Sequence, residues 1–319
     1  MRTERRWGFY SELLVLSVML SVGIRVEAQS LTWLGTLDGS WSEAWSVSAD
    51  GAVVAGAVFN ASGYWRAFRW TRSGGMQDLG TLGGSWSEAY SVSSDGSVVV
   101  GRSDTATDYW HAFRWTAAGG MQDLGTLGGQ KNFAWSVSAD GSAVVGLAQN
   151  ATGYWRAFRW TARGGMQDLG TLGGWESEAW GVSADGSIVV GGAFNASGQR
   201  HAFRWTTARG MEDLNQTYAS LLTNGSWLWL AFALSPDGRY IVGRGYNATT
   251  AYYEAFLLDT WRIGDTNGDG CIDDSDLLTV LLAFGTPGTG YSRHEDINKD
   301  SIVDDADLLI VLFHFGSGC

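Results

Sequence analysis

Basic residues are scarce. Lys and Arg number 21 against 33 Asp and Glu, a formal net charge of -12. No basic patch is present to neutralise phosphates, which excludes a nucleic-acid partner. The four histidines, His111, His201, His294 and His314, are scattered without metal-ligand spacing, and no Ser-His-Asp arrangement is visible. Beyond residue 28 no stretch has the roughly eighteen consecutive apolar residues that a spanning helix needs, so no membrane span is predicted in the mature chain. Proline is reduced to Pro236 and Pro287, and the residues between 29 and 258 show no helical periodicity. Cysteine is reduced to Cys271 and Cys319.

The N-terminus reads as an export signal. Arg2, Arg5 and Arg6 precede an apolar run from Leu13 to Ile24, and Val26-Glu27-Ala28 places small residues at a cleavage site. Residues 1–28 are therefore expected to be removed, leaving a secreted or surface-associated chain. Outside the cytosol, Cys271 and Cys319 are expected to form a disulfide. Such a bond would be worth about 4 kcal/mol in the chain-entropy model.

A repeat follows. Gly-Thr-Leu recurs at Gly35, Gly80, Gly125 and Gly170. A Ser-Ala-Asp-Gly tetrad or close variant ends at Gly51, Gly96, Gly141, Gly186 and Gly238. Ala-Phe pairs end at Phe68, Phe113, Phe158, Phe203 and Phe256, and Gly-Met-Gln/Glu-Asp-Leu segments end at Leu79, Leu124, Leu169 and Leu214. Each unit reads as four short strands. In the second unit these are Ala89 to Ser93, Val98 to Gly101, Tyr109 to Thr116 and Met121 to Leu124, with Asp95-Gly96 as a tight hairpin turn. Units of this size predict a mainly β chain, a five-bladed β-propeller of four-stranded blades over 29–258. The fifth unit lacks a fourth strand, and Leu31-Thr32-Trp33-Leu34 is expected to supply it and close the ring. A stacked β-solenoid is the alternative.

The loops entering the first strands carry Trp beside Glu: Trp41 with Glu43, Trp86 with Glu88, and Trp175 with Glu176 and Glu178. The fifth unit offers Trp227 and Trp229. Two readings stay open. Trp faces beside carboxylates suit sugar stacking, with the four glutamates as candidate catalytic acids. Alternatively the Trp side chains pack between blades and the glutamates are structural. The hairpin aspartates recur in every unit, which favours a structural role for them.

The repeats resemble the extracellular HAF-repeat family over residues 31–258. The His-Ala-Phe signature stands at His111-Ala112-Phe113 and His201-Ala202-Phe203, with Arg66, Arg156 or Glu254 replacing His elsewhere. The resemblance implies location and repeat architecture but no reaction.

Negative charge concentrates at the C-terminal end, after a short linker at 259–264. Residues 265–319 hold eleven Asp and Glu against Arg293 and Lys299, 2 − 11 = -9 of the -12 total. The acids keep ligand spacing. Oxygen-bearing side chains fall at loop positions 1, 3, 5, 9 and 12 twice: Asp265, Asn267, Asp269, Asp273, Asp276, and Asp296, Asn298, Asp300, Asp304, Asp307. The carbonyls of Cys271 and Ile302 stand at position 7. Gly270 occupies the sharp turn at position 6, where the second loop has Ser301. Ile272 at position 8 is expected to pair with its counterpart, and an apolar helix is expected after each loop. Two bound Ca2+ ions are predicted.

Residues 263–319 resemble a type I dockerin, with Asp rather than Glu at position 12 and no entering helix. The resemblance implies two Ca2+ sites, near two-fold symmetry and docking to a cohesin domain. Partner choice would be read at Asp274, Ser275, Asp305 and Ala306 and along the helices at Leu281, Leu282, Leu312 and Phe313. Those apolar residues could also face each other or the repeats. The sequence thus predicts a secreted, non-catalytic interaction protein. Its rivals are a tethered polysaccharide hydrolase and a glycan-binding lectin.

Overall fold

The computed structural model describes residues 29–268, 270–287 and 294–318. The predicted signal peptide, Asp269 and Cys319 lie outside the described residues. Residues from Gly35 onward form one compact unit, and those up to Leu34 belong to another.

The described chain is mainly β. The first sheet contains β1 (Trp41–Val47), β2 (Val53–Phe59), β3 (Trp65–Thr71) and β4 (Gly75–Asp78). The second contains β5 (Gly83–Val92), β6 (Val98–Thr105), β7 (Trp110–Thr116) and β8 (Gly120–Asp123). The third contains β9 (Gly128–Val137), β10 (Ala143–Asn150), β11 (Trp155–Thr161) and β12 (Gly165–Asp168). The fourth contains β13 (Gly173–Val182), β14 (Ile188–Asn195), β15 (Arg200–Thr206) and β16 (Gly210–Asp213). The fifth contains β17 (Trp227–Leu234), β18 (Tyr240–Asn247) and β19 (Tyr252–Asp259). Within each sheet the strands follow chain order and pair antiparallel.

The repeated tetrads make the β1–β2-type turns through their side chains. In the second sheet Ser93 Oγ donates to Asp95 at 2.6 Å, and Asp95 accepts from the Ser97 amide at 2.9 Å. These bonds hold the Asp95 carboxyl down to about 2, the Ser93 hydroxyl having the largest effect. The turn glycine then meets the preceding sheet. Gly141 has φ +71°, and a Cβ there would lie 2.7 Å from Val98 Cγ2, so only glycine satisfies both demands. The Ala-Phe pairs supply the core. Phe158 sits across from Gly146 in the β10–β11 ladder and is fully buried, as are Phe68, Phe113 and Phe203 in their sheets.

The His-Ala-Phe signature has a simple physical role. His111 Nδ1 lies 2.7 Å from Asp123 on β8, and His201 repeats the pair with Asp213 on β16. Arg66 with Asp78, and Arg156 with Asp168, keep the same partnership using arginine. The first position of the signature therefore anchors the fourth strand. Glu254 stands where there is no fourth strand, and accepts instead from Asn247 Nδ2 and Thr250 Oγ1.

That substitution marks a correction. Leu31 to Leu34 form no strand, and the fifth sheet has three strands, not four. Trp33 occupies the place of Asp78, Asp123, Asp168 and Asp213, so the segment lacks the carboxylate that ties each fourth strand. It also lacks a hairpin tether, so pairing would carry a loop-closure cost that β4, β8, β12 and β16 avoid. A second departure is helical. The turn-to-turn spacing rises from 186 − 141 = 45 to 238 − 186 = 52 residues, and the insertion folds as α1 (Leu214–Thr217) with a 3-10 turn at Ala219–Leu221.

Each sheet packs on the next through apolar faces. Val53, Ala55, Ala67 and Leu79 of the first meet Ala89, Val99, Phe113 and Trp115 of the second. Equivalent clusters join second to third, third to fourth and fourth to fifth. Backbone bonds link successive turns: Ala49 N to Ser94 O, Ser94 N to Ala139 O, and Ala184 N to Pro236 O. On the first strands an aromatic row runs Trp45, Tyr90, Trp135, Trp180, Phe232, with ring centroids 4.8 to 6.0 Å apart.

Candidate functional site

After β19 the chain enters two loops and two helices, α2 (Asp274–Ala283) and α3 (Asp305–His314). The two halves repeat one set of bonds. Asp276 accepts from the amides of Thr266, Asn267 and Asp273 at 2.7, 3.1 and 3.0 Å. Asp307 accepts from Ile297, Asn298 and Asp304 at 2.7, 3.1 and 3.0 Å. Both carboxylates are fully buried. The position-12 acid thus staples the start of its loop to the start of its helix. Asp273 and Asp304 are the helix N-caps, each forming a capping box with that acid. Asp265 binds the amides of Gly268 and Gly270, while Asp296 binds those of Asp300 and Ser301. The capping roles could have been read from Asp-x-x-Asp spacing before an apolar run.

Position 6 takes the left-handed conformation in both loops, at φ +90° for Gly270 and +79° for Ser301. Serine therefore carries the strain that its sequence position implied. Ile272 and Val303 share one core with Val280 and Val311, but their backbones do not pair with each other as expected. Ile272 bonds to Gly316 and Ser317 after α3, and Val303 to Gly285 and Thr286 after α2. Each loop is closed by the tail end of a helix, so both position-8 amides are already used. Leu281 and Leu312 are half exposed, and Leu282 and Phe313 stand almost wholly in solvent.

Among the described residues no group of three or more His, Cys, Asp or Glu gathers closely enough to hold a metal ion. Asp269, at position 5 of the first loop, lies outside them. The donors present are carboxylate, amide and carbonyl oxygens, the hard ligands that suit Ca2+. Asn298 and Asp300 are bonded to each other at 2.9 Å, and Asp273 and Asp304 to helix amides at 2.8 Å. Cys271 is not free, but its predicted partner Cys319 lies outside the described residues.

The segment from Thr260 to Gly264 is packed. Thr260 N donates to Arg239 O, and Arg239 forks onto Asp259 with two 2.9 Å bonds. Its guanidinium lies 4.9 Å from the Trp261 ring centroid. The Trp261 ring in turn meets His294, 4.3 Å between centroids. Burial, then the nearby Arg239 charge, pushes the His294 imidazole below its ordinary value. These groups line a cleft of about 530 Å3 between the fifth sheet and the acidic loops. Nothing in the sequence spacing pointed to this cluster, because its members are far apart along the chain.

The repeat-loop candidates are engaged locally. Glu43 accepts from Trp41 Nε1 at 3.0 Å. Glu88 is buried, ion-paired to Arg102 at 2.8 Å and bonded to the Tyr90 hydroxyl. Burial, then that bond, raises Tyr90 above the usual phenol range. Glu178 pairs with Arg200, and with Glu176 lines a cleft of about 100 Å3. Glu88 and Glu178 stand on sheets two apart, with Phe133 at the equivalent place between them, and are not brought together. Trp86 meets Tyr64 and Trp229 meets Tyr253 edge to face, while Trp175 and Trp227 stack on Phe194 and Tyr246, with Trp175 still exposed. Trp41 is exposed. No described helix is long and apolar enough to cross a membrane.

No family model matches the chain, and no curated protein matches it. Solved structures do. TolB from Acinetobacter baumannii is 18% identical with a TM-score of 0.39, covering 52% of this chain and 41% of that one. A putative TolB from Agrobacterium tumefaciens is 15% identical with a TM-score of 0.47, covering 69% and 77%. The β-propeller domain of the Trilobed protease from Pyrococcus furiosus is 10% identical with a TM-score of 0.34, covering 70% and 82%.

Proposed function

We propose that the chain is a secreted, non-catalytic interaction protein, its five sheets forming a propeller-type display scaffold of HAF repeats left open between the first and fifth sheets, and its tail a dockerin-like Ca2+ module. The observation that carries this reading is the tail's exposed apolar row. The module's own core is filled by Ile272, Val280, Val303 and Val311, yet Leu281 and Leu282 on one helix and Leu312 and Phe313 on the other are left in solvent. Duplicated apolar positions on a small acidic module fit a protein partner of the cohesin type.

Two Ca2+ ions would be held by the ten spaced side-chain oxygens and the carbonyls of Cys271 and Ile302. Their charge would offset acids that repel one another, so binding would supply folding free energy. A Cys271–Cys319 disulfide fits the same closure, since Ile272 already bonds to Gly316 and Ser317. The Glu88–Arg102 and Glu178–Arg200 pairs, held on sheets two apart, support a display role over hydrolysis. Calorimetric titration of the full chain with CaCl2 tests the reading. Two saturable ions per chain are expected, and no uptake at millimolar calcium would overturn it. A Leu282→Asp/Phe313→Asp variant should keep calcium and lose capture by immobilised cohesin domains.

A further inference from the structure

The four internal junctions define what each face of a sheet buries. On the forward face Ala55, Val100, Val145 and Val190 occupy one register position and are all fully buried. Val242 holds that position in the fifth sheet and is 41% exposed. Its cross-strand partner is Arg69, Arg114, Arg159 or Arg204 in the first four sheets, and Leu257 in the fifth, 68% exposed. On the backward face Val92 and Val137 are buried, whereas their equivalent Val47 is 58% exposed. The aromatic row likewise ends in open rings, Trp45 at one end and Phe232 at the other.

A terminal repeat built for solubility carries a polar outer face. The fifth sheet does the opposite. It exchanges the arginine for Leu257, and the acidic tail packed beside it leaves Val242 and Leu257 in solvent. Arg69 and Arg159 use that position to reach the turn glycine carbonyl of the next sheet, at 3.1 and 2.8 Å. Pro236 has no N–H to continue the turn-to-turn bonds. The Val242–Leu257 patch is thus apolar and makes no such link, with the exposed Arg244 beside it on the same face. The interior junctions show what such a face takes: the backward face of another sheet. The first sheet carries that face unburied.

We propose that chains associate head to tail, the forward face of the fifth sheet covering the backward face of the first sheet of a second copy. Phe232 of one chain then extends the aromatic row onto Trp45 of the next. The contact is heterologous, so it leaves one face free at each end and permits growth.

Sedimentation velocity on the mature full chain with calcium tests this across a protein concentration series. Wild type should form species that grow with concentration. Val47→Asp and Leu257→Asp each remove one exposed face and should be monomeric, with unchanged circular dichroism. Mixed in equal amounts, they should form dimers that grow no further, because each variant retains the face the other lost. A monomeric wild type overturns the proposal. So does either variant assembling like wild type, or a mixture that stays monomeric while wild type assembles.

Discussion

The sheet array and the acidic tail are both made by duplication, but their copies depend on each other differently. In the array each copy folds its own strands and then buries apolar faces on its neighbours. The fully buried Phe68, Phe113, Phe158 and Phe203 each sit in their own sheet. In the tail neither copy closes alone: Ile272 of the first loop bonds to residues after α3, and Val303 of the second to residues after α2. The array is held by apolar area, while the tail arranges carboxylates around backbone amides over a core of few residues. A region of the first kind tolerates loss of a cation. On the proposed Ca2+ reading, one of the second kind is expected to depend on it.

The largest expected effect lies in the array. Phe158→Ala should cost about 3–5 kcal/mol in denaturant unfolding, while Phe313→Ala in the tail should change stability by less than about 0.5 kcal/mol. Similar costs would erase the distinction between buried and displayed aromatics. A finer cut compares turns. Gly51→Ala and Gly141→Ala share a positive φ, worth about 1–2 kcal/mol each. Only Gly141 faces a preceding sheet, because nothing lies within 4 Å of a Cβ at Gly51. Gly141→Ala should therefore lower Tm clearly more. Ser301→Gly should stabilise the tail by about 1 kcal/mol by relieving its left-handed serine, read as a higher midpoint for loss of helix signal.

The smallest effect is set by acid. Asp95 is held at about 2 against an ordinary 3.8, and Asp140 and Asp185 are also lowered, burial opposing most strongly but the bonds from Ser138 and Ser142, and from Ser183 and Ser187, together outweighing it. A depressed carboxyl binds its proton more readily in the unfolded chain. Its stabilisation is complete above pH 3.8 and is lost as pH falls toward 2. Ser93→Ala should lower Tm at neutral pH and converge on wild type as pH falls toward 2, which flattens that acid limb in a pH series of melts.

Much of this was legible because local rules governed it. Asp-Gly turns, buried Phe and alternating strands are short-range features, and the sheets follow them. The missing fourth strand of the fifth sheet was also legible, but not what would happen to Leu31–Leu34. Trp33 in place of an aspartate and Glu254 in place of His or Arg were both in the sequence, and their meaning needed the cross-strand pairing to be seen. The acidic spacing was plain. The use of Asp276 and Asp307 as staples, and the closure of each loop by the other half, were not. Those depend on contacts between residues distant in the chain, as does the Arg239–Trp261–His294 cluster.

Hydrogen exchange on the full chain, with calcium and then with excess chelator, tests the contrast most directly. The account predicts that amides of α2, α3, Ile272 and Val303 lose protection in chelator while those of β6, β10 and β14 keep theirs. Protection in the tail that is unchanged by chelator would contradict it.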